Sequence, residues 1–159
     1  MKGDARVIEL LNEALKAELT AINQYWLHYR MLDNWGIDKL AEYERHESID
    51  EMKHADRLTE RILFLDGLPN FQMLGRIRIG ENVEEILKAD LEAEYEACEL
   101  YRQIVAHAET VRDFVSRDLA AEILEDEEGH VDFLETQFEM IKQMGLQNYI
   151  QLQSKPAEE

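Results

Sequence analysis

The chain has 159 residues and a formal net charge of −18, from 17 basic and 35 acidic side chains. That length fits one domain spanning 1–159, and the charge disfavours nucleic acid and anionic membrane surfaces while favouring cationic partners. A single cysteine, Cys98, excludes an intramolecular disulfide and reads as a packing residue. No apolar run approaches the ~20 residues of a membrane helix, and the start Met1-Lys2-Gly3-Asp4 lacks a secretory signal's apolar segment, so a reducing cytoplasm is expected.

Two prolines, seven glycines and no period-two run of β-branched residues favour an all-α chain. Asp4 caps a first helix that runs to about Trp35, where Gly36 supplies a left-handed residue. Its apolar stripe is Leu11, Leu15, Glu18, Ile22, Tyr25, Tyr29, Leu32, so Glu18 takes a core slot. Asp38 caps a second helix from about Lys39 to Leu65, closed by Asp66-Gly67 with Pro69 beyond. Its stripe, Leu40, Tyr43, Glu47, Glu51, His54, Leu58, Ile62, Leu65, sets acids and an imidazole among apolar residues. The link between these two helices is so short that they pack antiparallel.

From Gly67 to Glu81 the connection is longer than a helical hairpin requires. Fully extended it reaches ~50 Å, enough to run the length of the bundle, and it is expected as a crossover between helices two and three. Arg76 and Arg78 within it read as solvated surface residues. Asn82 and Glu85 mark the start of a third helix continuing to about Val111, with the stripe Val83, Leu87, Asp90, Glu94, Ala97, Tyr101, Ile104, Ala108. Asp113 opens a fourth helix with Leu119, Ile123, Glu127, His130, Leu134, Phe138 and Ile141 on one face, ending at Gly145. A short fifth helix, Leu146 to Gln153, precedes a tail from Ser154 to Glu159 expected to be disordered.

Glu51 and His54, and again Glu127 and His130, form Glu-x-x-His pairs whose side chains share one helix face. A shift of 76 residues carries Glu18 onto Glu94, Tyr25 onto Tyr101, Asp50 onto Asp126, Glu51 onto Glu127 and His54 onto His130. Counting from the helix ends places these groups in one mid-bundle layer, with a mismatch of ~6 Å between partners. Four carboxylates buried without counter-charge would each cost several kcal/mol, and no Lys or Arg occupies a neighbouring stripe position. Two divalent cations balance four carboxylates. Carboxylate with imidazole and no thiolate suits Fe or Mn, and a dinuclear Fe site is expected. Tyr25, two turns from Glu18, is placed to hydrogen-bond the site or to donate an electron.

A Glu from each of two helices with Glu-x-x-His from each of two others is the known donor set of ferritin-like di-iron carboxylate bundles. Over essentially its whole length the chain resembles the bacterioferritins. The resemblance is carried by those six residues, by Ile22-Asn23-Gln24-Tyr25, by Glu47-Ser48-Ile49-Asp50-Glu51-Met52-Lys53-His54-Ala55-Asp56 and by Arg61 to Asn70. It implies a ferritin-like four-helix bundle and a ferroxidase using O2 or peroxide. It also implies a homo-oligomeric shell of twenty-four subunits built from twofold dimers, with ferric mineral inside. Haem b between twofold partners is implied, with Met52 as axial ligand, and so is a small ferredoxin reductant. His46 and Asp50 match positions where some members hold iron on the inner surface, and a solvated pair is the other reading. Phe133 departs from relatives that carry a tryptophan there. A rubrerythrin-like peroxidase is the competing reading, against which stands the lack of paired Cys-x-x-Cys motifs. A haem-carrying structural assembly is a third.

Overall fold

In the computed structural model, which describes residues 1–157, four long helices and one short one follow each other in the expected order, with no strand among the described residues. They are α1 (Ala5–Asn34), α2 (Asp38–Phe64), α3 (Val83–Thr110), α4 (Phe114–Met144) and α5 (Leu146–Leu152). Asp4, Asn82 and Asp113 accept from the backbone N–H groups of Val7, Glu85 and Ser116, the capping bonds that satisfy otherwise orphaned donors. Gly36 is left-handed, with φ 80°.

Two helix ends differ from expectation. Asp38 is the first helical residue of α2 and Ile37 its cap, with no side-chain capping bond. A carboxylate in the first turn still favours the helix through the dipole. At the other end Asp66, not Gly67, takes the left-handed turn, with φ 59°. Gly67 is needed for space, since a Cβ there would lie 2.8 Å from Ile8 Cγ2 and 2.9 Å from Ile62 Cγ2.

Apolar residues gather into two clusters. One joins Leu11 and Leu15 of α1, Leu58 and Ile62 of α2, Ile104 of α3 and Ile123 of α4. The other joins Leu32, Leu40, Ile86, Leu87 and Leu134 with Tyr149 of α5. In every long helix the central glutamate, Glu18, Glu51, Glu94 or Glu127, falls in sequence between a residue of one cluster and a residue of the other. The polar layer therefore divides the core across its middle. The clusters also fix direction: α2 and α3 both run from the second cluster to the first. They are parallel, and the connection 65–82 is the crossover.

That connection is fastened along α1 by side chains on one helix face. Asn12 Oδ1 accepts from Asn70 N–H at 2.9 Å, Thr20 Oγ1 from Gly75 N–H at 2.8 Å, Gln24 Oε1 from Arg78 N–H at 3.0 Å and His28 Nε2 from Gly80 N–H at 3.0 Å. Arg78 also pairs through its guanidinium with Glu96 on α3, so it does more than face solvent. A segment without secondary structure satisfies its backbone donors through these side chains.

α5 is anchored by Tyr149, fully buried, whose hydroxyl donates to Gln137 at 2.8 Å. Ser154 and Lys155 are held, unlike the disordered tail expected from Ser154 onward. Ser154 Oγ donates to Ile150 O at 2.9 Å, and the Lys155 ammonium pairs with Glu42 of α2. The rest of that expectation, at Glu158 and Glu159, lies outside the described residues.

Gln24→Leu removes the acceptor of the Arg78 N–H in a buried setting. It is expected to cost about 1–3 kcal/mol in denaturant titration and to speed amide hydrogen exchange at Gly75, Arg78 and Gly80. Unchanged exchange at those amides would contradict the fastening.

Candidate metal centre

Each long helix delivers its carboxylate to the same level because each stripe places it mid-helix, and Glu18, Glu51, Glu94 and Glu127 are all at most 2 % exposed. The (i, i+3) spacing then sets each imidazole beside its own glutamate. His54 Nδ1 lies 3.1 Å from Glu127, 3.6 Å from Glu18 and 3.7 Å from Glu51. His130 Nδ1 lies 3.4 Å from Glu51 and from Glu94, and 3.6 Å from Glu127. Glu51 and Glu127 thus stand between the two imidazoles, while Glu18 belongs to the His54 side and Glu94 to the His130 side. The ring centroids are 6.4 Å apart.

Both Nδ1 atoms, together with Glu18 Oε2, Glu51 Oε1, Glu94 Oε2 and both oxygens of Glu127, are buried and make no well-formed hydrogen bond, meeting only one another at the distances just given. Orphaned acceptors converging from four helices are costly unless a cation sits among them. The donors form two groups of metal-binding size, Glu18, Glu51, His54 and Glu127 on one side and Glu47, Glu51, Glu94 and His130 on the other. All six expected ligands are brought together. Oxygen and imidazole without sulfur fit iron or manganese, as the residue types imply.

Tyr25 and Tyr101 extend the internal repeat in a crossed fashion. The Tyr25 hydroxyl donates to Glu94 of α3, and the Tyr101 hydroxyl donates to Glu18 of α1. Burial first, and then the neighbouring carboxylates, push both phenols well above their usual range, so they remain donors.

The repeat fails one position further out. His54 Nε2 meets Asp126 at 2.9 Å, but His130 Nε2 meets Glu47 at 2.7 Å and not Asp50, the residue 76 positions before Asp126. Glu47 is buried, whereas Asp126 is mostly exposed. The position 76 residues after Glu47 is Ile123, which has no donor to offer. Outer partners of this kind fix the ring orientation of a ligating histidine. Asp50 is half-buried with Lys53 at 3.5 Å, His46 is exposed, and neither joins a metal-sized group. Met52 is 54 % exposed, turned away from the centre.

A third buried group joins His28, Glu44 and Asp90, of which the sequence pattern marked only Asp90 as a core position. His28 accepts from Gly80 N–H through Nε2, so Nδ1 carries the proton and donates to Asp90 Oδ1 at 2.9 Å. Gln24 donates to the same oxygen, also at 2.9 Å. With both ring nitrogens used by protein groups, His28 offers no lone pair to a metal. The group ties the crossover and α1 to α3. Tyr43, which stacks on Phe133 at 3.6 Å between centroids, packs in the neighbouring apolar cluster.

Charge is redistributed when no cation is bound. Burial raises Glu51 and Glu127 well above the usual carboxylate range, helped by the charges of Glu18 for both, of Glu127 for Glu51 and of Glu94 for Glu127. Burial alone would raise Glu18 too, but the neighbouring Glu51 and His54 and the hydrogen bond from Tyr101 outweigh it and hold it low. Burial would lower the imidazoles, yet the carboxylates of Glu127 and Glu18 beside His54 bring it to about 11, and those of Glu47 and Glu94 beside His130 bring it to about 11. Imidazolium and shared carboxyl protons thus stand in for the missing positive charge. Cys98 is buried and its thiol is raised to about 11, first by burial and then by Glu94 and Glu127, which suits an inert packing residue.

The ferritin-like domain family matches residues 8–144 of the chain. The bacterioferritin of Brucella melitensis is 52 % identical over 159 residues, covering 100 % of this chain and 99 % of its own. The chain belongs to the bacterioferritin family. The bacterioferritin of Rhodobacter capsulatus is 50 % identical over 156 residues, 98 % of this chain and 97 % of its own. That of Streptomyces coelicolor is 50 % identical over 150 residues, 94 % and 90 %. The likeness covers the whole bundle, crossover included, and no helix among the described residues is long and apolar enough to cross a membrane.

Raised folded pKa values mean that the native metal-free protein holds more protons than the unfolded chain, so its stability falls as pH rises. The imidazole contribution is full below about 6.5 and is lost as pH climbs through about 11. Metal binding must displace those protons. We expect the metal-free protein to lose denaturant stability from pH 6.5 upward. Co(II) binding, followed by calorimetry in buffers of different ionisation enthalpy, should release protons and tighten as pH rises. Binding without proton release would contradict this charge assignment.

Proposed function

We propose that the protein, a single domain, stores iron in the cytoplasm as a ferroxidase. It oxidises Fe(II) within each bundle and retains the ferric product inside a closed homo-oligomeric shell. The observation that carries this reading is the pair of buried ligand groups, Glu18, Glu51, His54 and Glu127 beside Glu47, Glu51, Glu94 and His130, which meet at Glu51. In this reading Glu18, Glu51, His54 and Glu127 would hold one iron, and Glu94 and His130, with Glu51 and Glu127 within reach, would hold the other.

Two Fe(II) ions give one electron each. Hydrogen peroxide that takes both, with two protons, leaves as two waters, and O2 that takes two electrons and two protons leaves as hydrogen peroxide. Flexible carboxylates tolerate the change in iron charge, and the site's own residues orient the pair and exclude bulk water. Tyr25, hydrogen-bonded to Glu94, sits one bond from a ligand and is the phenol placed to supply a further electron. Asp126 and Glu47 hold His54 and His130 in orientation.

The family further suggests twenty-four subunits assembled from twofold dimers, haem b between partners and a small ferredoxin reductant. Met52 supports haem: its thioether stands on the outer face of α2, away from the iron layer, where a twofold partner would bring a second thioether. His46 and Asp50 remain the candidate inner-surface iron site.

Stopped-flow oxidation of Fe(II) by the assembled protein tests the reading. The double variant Glu51→Ala with Glu127→Ala should abolish the fast phase, a larger loss than the ~10–100-fold that removal of a partner behind a ligand costs. Met52→Leu should remove haem absorption and leave the fast phase intact. Unaltered oxidation in the double variant would refute the site.

A further inference from the structure

We propose that Glu44 and Asp90 form a buried pair that holds one proton between them and gives it to the oxidant when iron is oxidised in the neighbouring layer. This rests on the ferroxidase reading and adds a proton donor to it, outside the metal-binding groups.

Glu44 of α2, Asp90 of α3 and His28 of α1 are each 0 % exposed, and one polar atom from each lies within 4.8 Å of the other two. Asp90 Oδ1 has two donors, His28 Nδ1 and Gln24, both at 2.9 Å. Asp90 Oδ2 and both oxygens of Glu44 receive no hydrogen bond from any N–H or O–H group. Nor is positive charge at hand. The Gly80 N–H donates to His28 Nε2, so that ring is neutral, and no lysine or arginine is buried among the described residues. The titratable groups that act on Glu44 are Asp90, Glu47 and Glu94 and the phenols of Tyr25, Tyr43 and Tyr149, none of which can carry positive charge. Two carboxylates this close in an apolar core cannot both ionise. Asp90, with two donors on one oxygen, keeps the negative charge. Glu44, with none, keeps the proton, and its O–H is the donor that Asp90 Oδ2 lacks. Burial first, and then Asp90, push Glu44 well above the usual carboxylate range, in accord with that placement.

The pair lies about one helical turn from the layer. Asp90 is four residues before Glu94 on α3, and Glu44 is three before Glu47, the residue that meets His130. Filling the layer with two Fe(II) exchanges its protons for metal charge, and the four carboxylates are balanced in both states, so Glu44 keeps its proton. Oxidation then adds two positive charges, and positive charge favours ionisation of a nearby carboxyl. With hydrogen peroxide each Fe(II) loses one electron, the O–O bond breaks, and two protons complete two waters. One of those protons comes from Glu44, which leaves Glu44 and Asp90 both ionised beside a layer that is more positive. The other comes from solvent, and solvent restores the Glu44 proton once the ferric product has moved on. The pair touches neither iron nor oxidant and acts through Glu47 and Glu94, the next acids along α2 and α3.

Glu44→Gln and Asp90→Asn test the pair, since in each an amide N–H takes over the bond between the two side chains and no proton can be released. Loading the assembled protein anaerobically with Co(II) ionises the acids of the layer. Infrared spectroscopy of that loaded protein should still show a carboxylic C=O absorption that shifts in D2O. Both variants should lack it and bind Co(II) as the parent does. Single-turnover oxidation follows, with two Fe(II) per subunit mixed with hydrogen peroxide in weakly buffered solution containing a pH indicator. The variants should take up one more proton from solution per two irons than the parent. Their fast phase should slow by ~100-fold, the lower end of what a positioned acid contributes, with a larger solvent isotope effect. No carboxylic absorption in the loaded parent would overturn the shared proton. An absorption accompanied by equal proton uptake and equal rates in parent and variants would overturn the donor role, and Asp90→Asn decides should Glu44→Gln fail to fold. A parent that binds Co(II) yet does not oxidise Fe(II) would overturn the ferroxidase reading and the donor role with it, while the infrared result would still decide where the proton is held.

Discussion

Four carboxylates buried at one level of an apolar bundle are the constraint on which the rest of this structure depends. The two hydrophobic clusters on either side supply the association of the helices, and they would do so more cheaply if the layer between them were leucine. Keeping the layer acidic demands positive charge at its centre. Without metal, protons on Glu51, Glu127 and the imidazoles supply it. Two divalent ions would supply it through the same atoms and free the protons, so metal affinity is linked to pH through the ligands themselves.

The repeat by 76 residues gives the centre an approximate twofold relation, and its departures from symmetry carry the functional detail. The inner parts obey it: six ligands, and two tyrosines whose bonds cross to the opposite helix pair. The outer parts do not. Asp126, largely exposed, backs one histidine and buried Glu47 backs the other, so the two halves of the layer differ in how far the group behind each imidazole is exposed.

Most of the fold was legible in the sequence because polar residues at helical core spacing are rare and therefore informative. Glu18, Glu51, Glu94 and Glu127 announced the layer, and Asn82 and Gly36 marked helix ends through local chemistry. Residues whose role depends on a distant segment were harder to read. His28 and Gln24 look like ordinary helix residues until the crossover brings Gly80 and Arg78 against them, and Arg78 looks like a solvated charge until Glu96 is beside it. Glu47 stands in the core-facing stripe of its helix, yet only the packing of α4 shows that it meets His130. Asp50 illustrates the converse: the repeat sets it opposite Asp126, yet the carboxylate that meets His130 is Glu47.

The most direct measurement is an anomalous difference map, at the iron edge, from crystals soaked anaerobically in ferrous salt. The account predicts two peaks per subunit, one beside His54 Nδ1 and one beside His130 Nδ1, with Glu51 and Glu127 between them. A single peak, peaks only elsewhere such as among His28, Glu44 and Asp90, or no peak in the layer would contradict it.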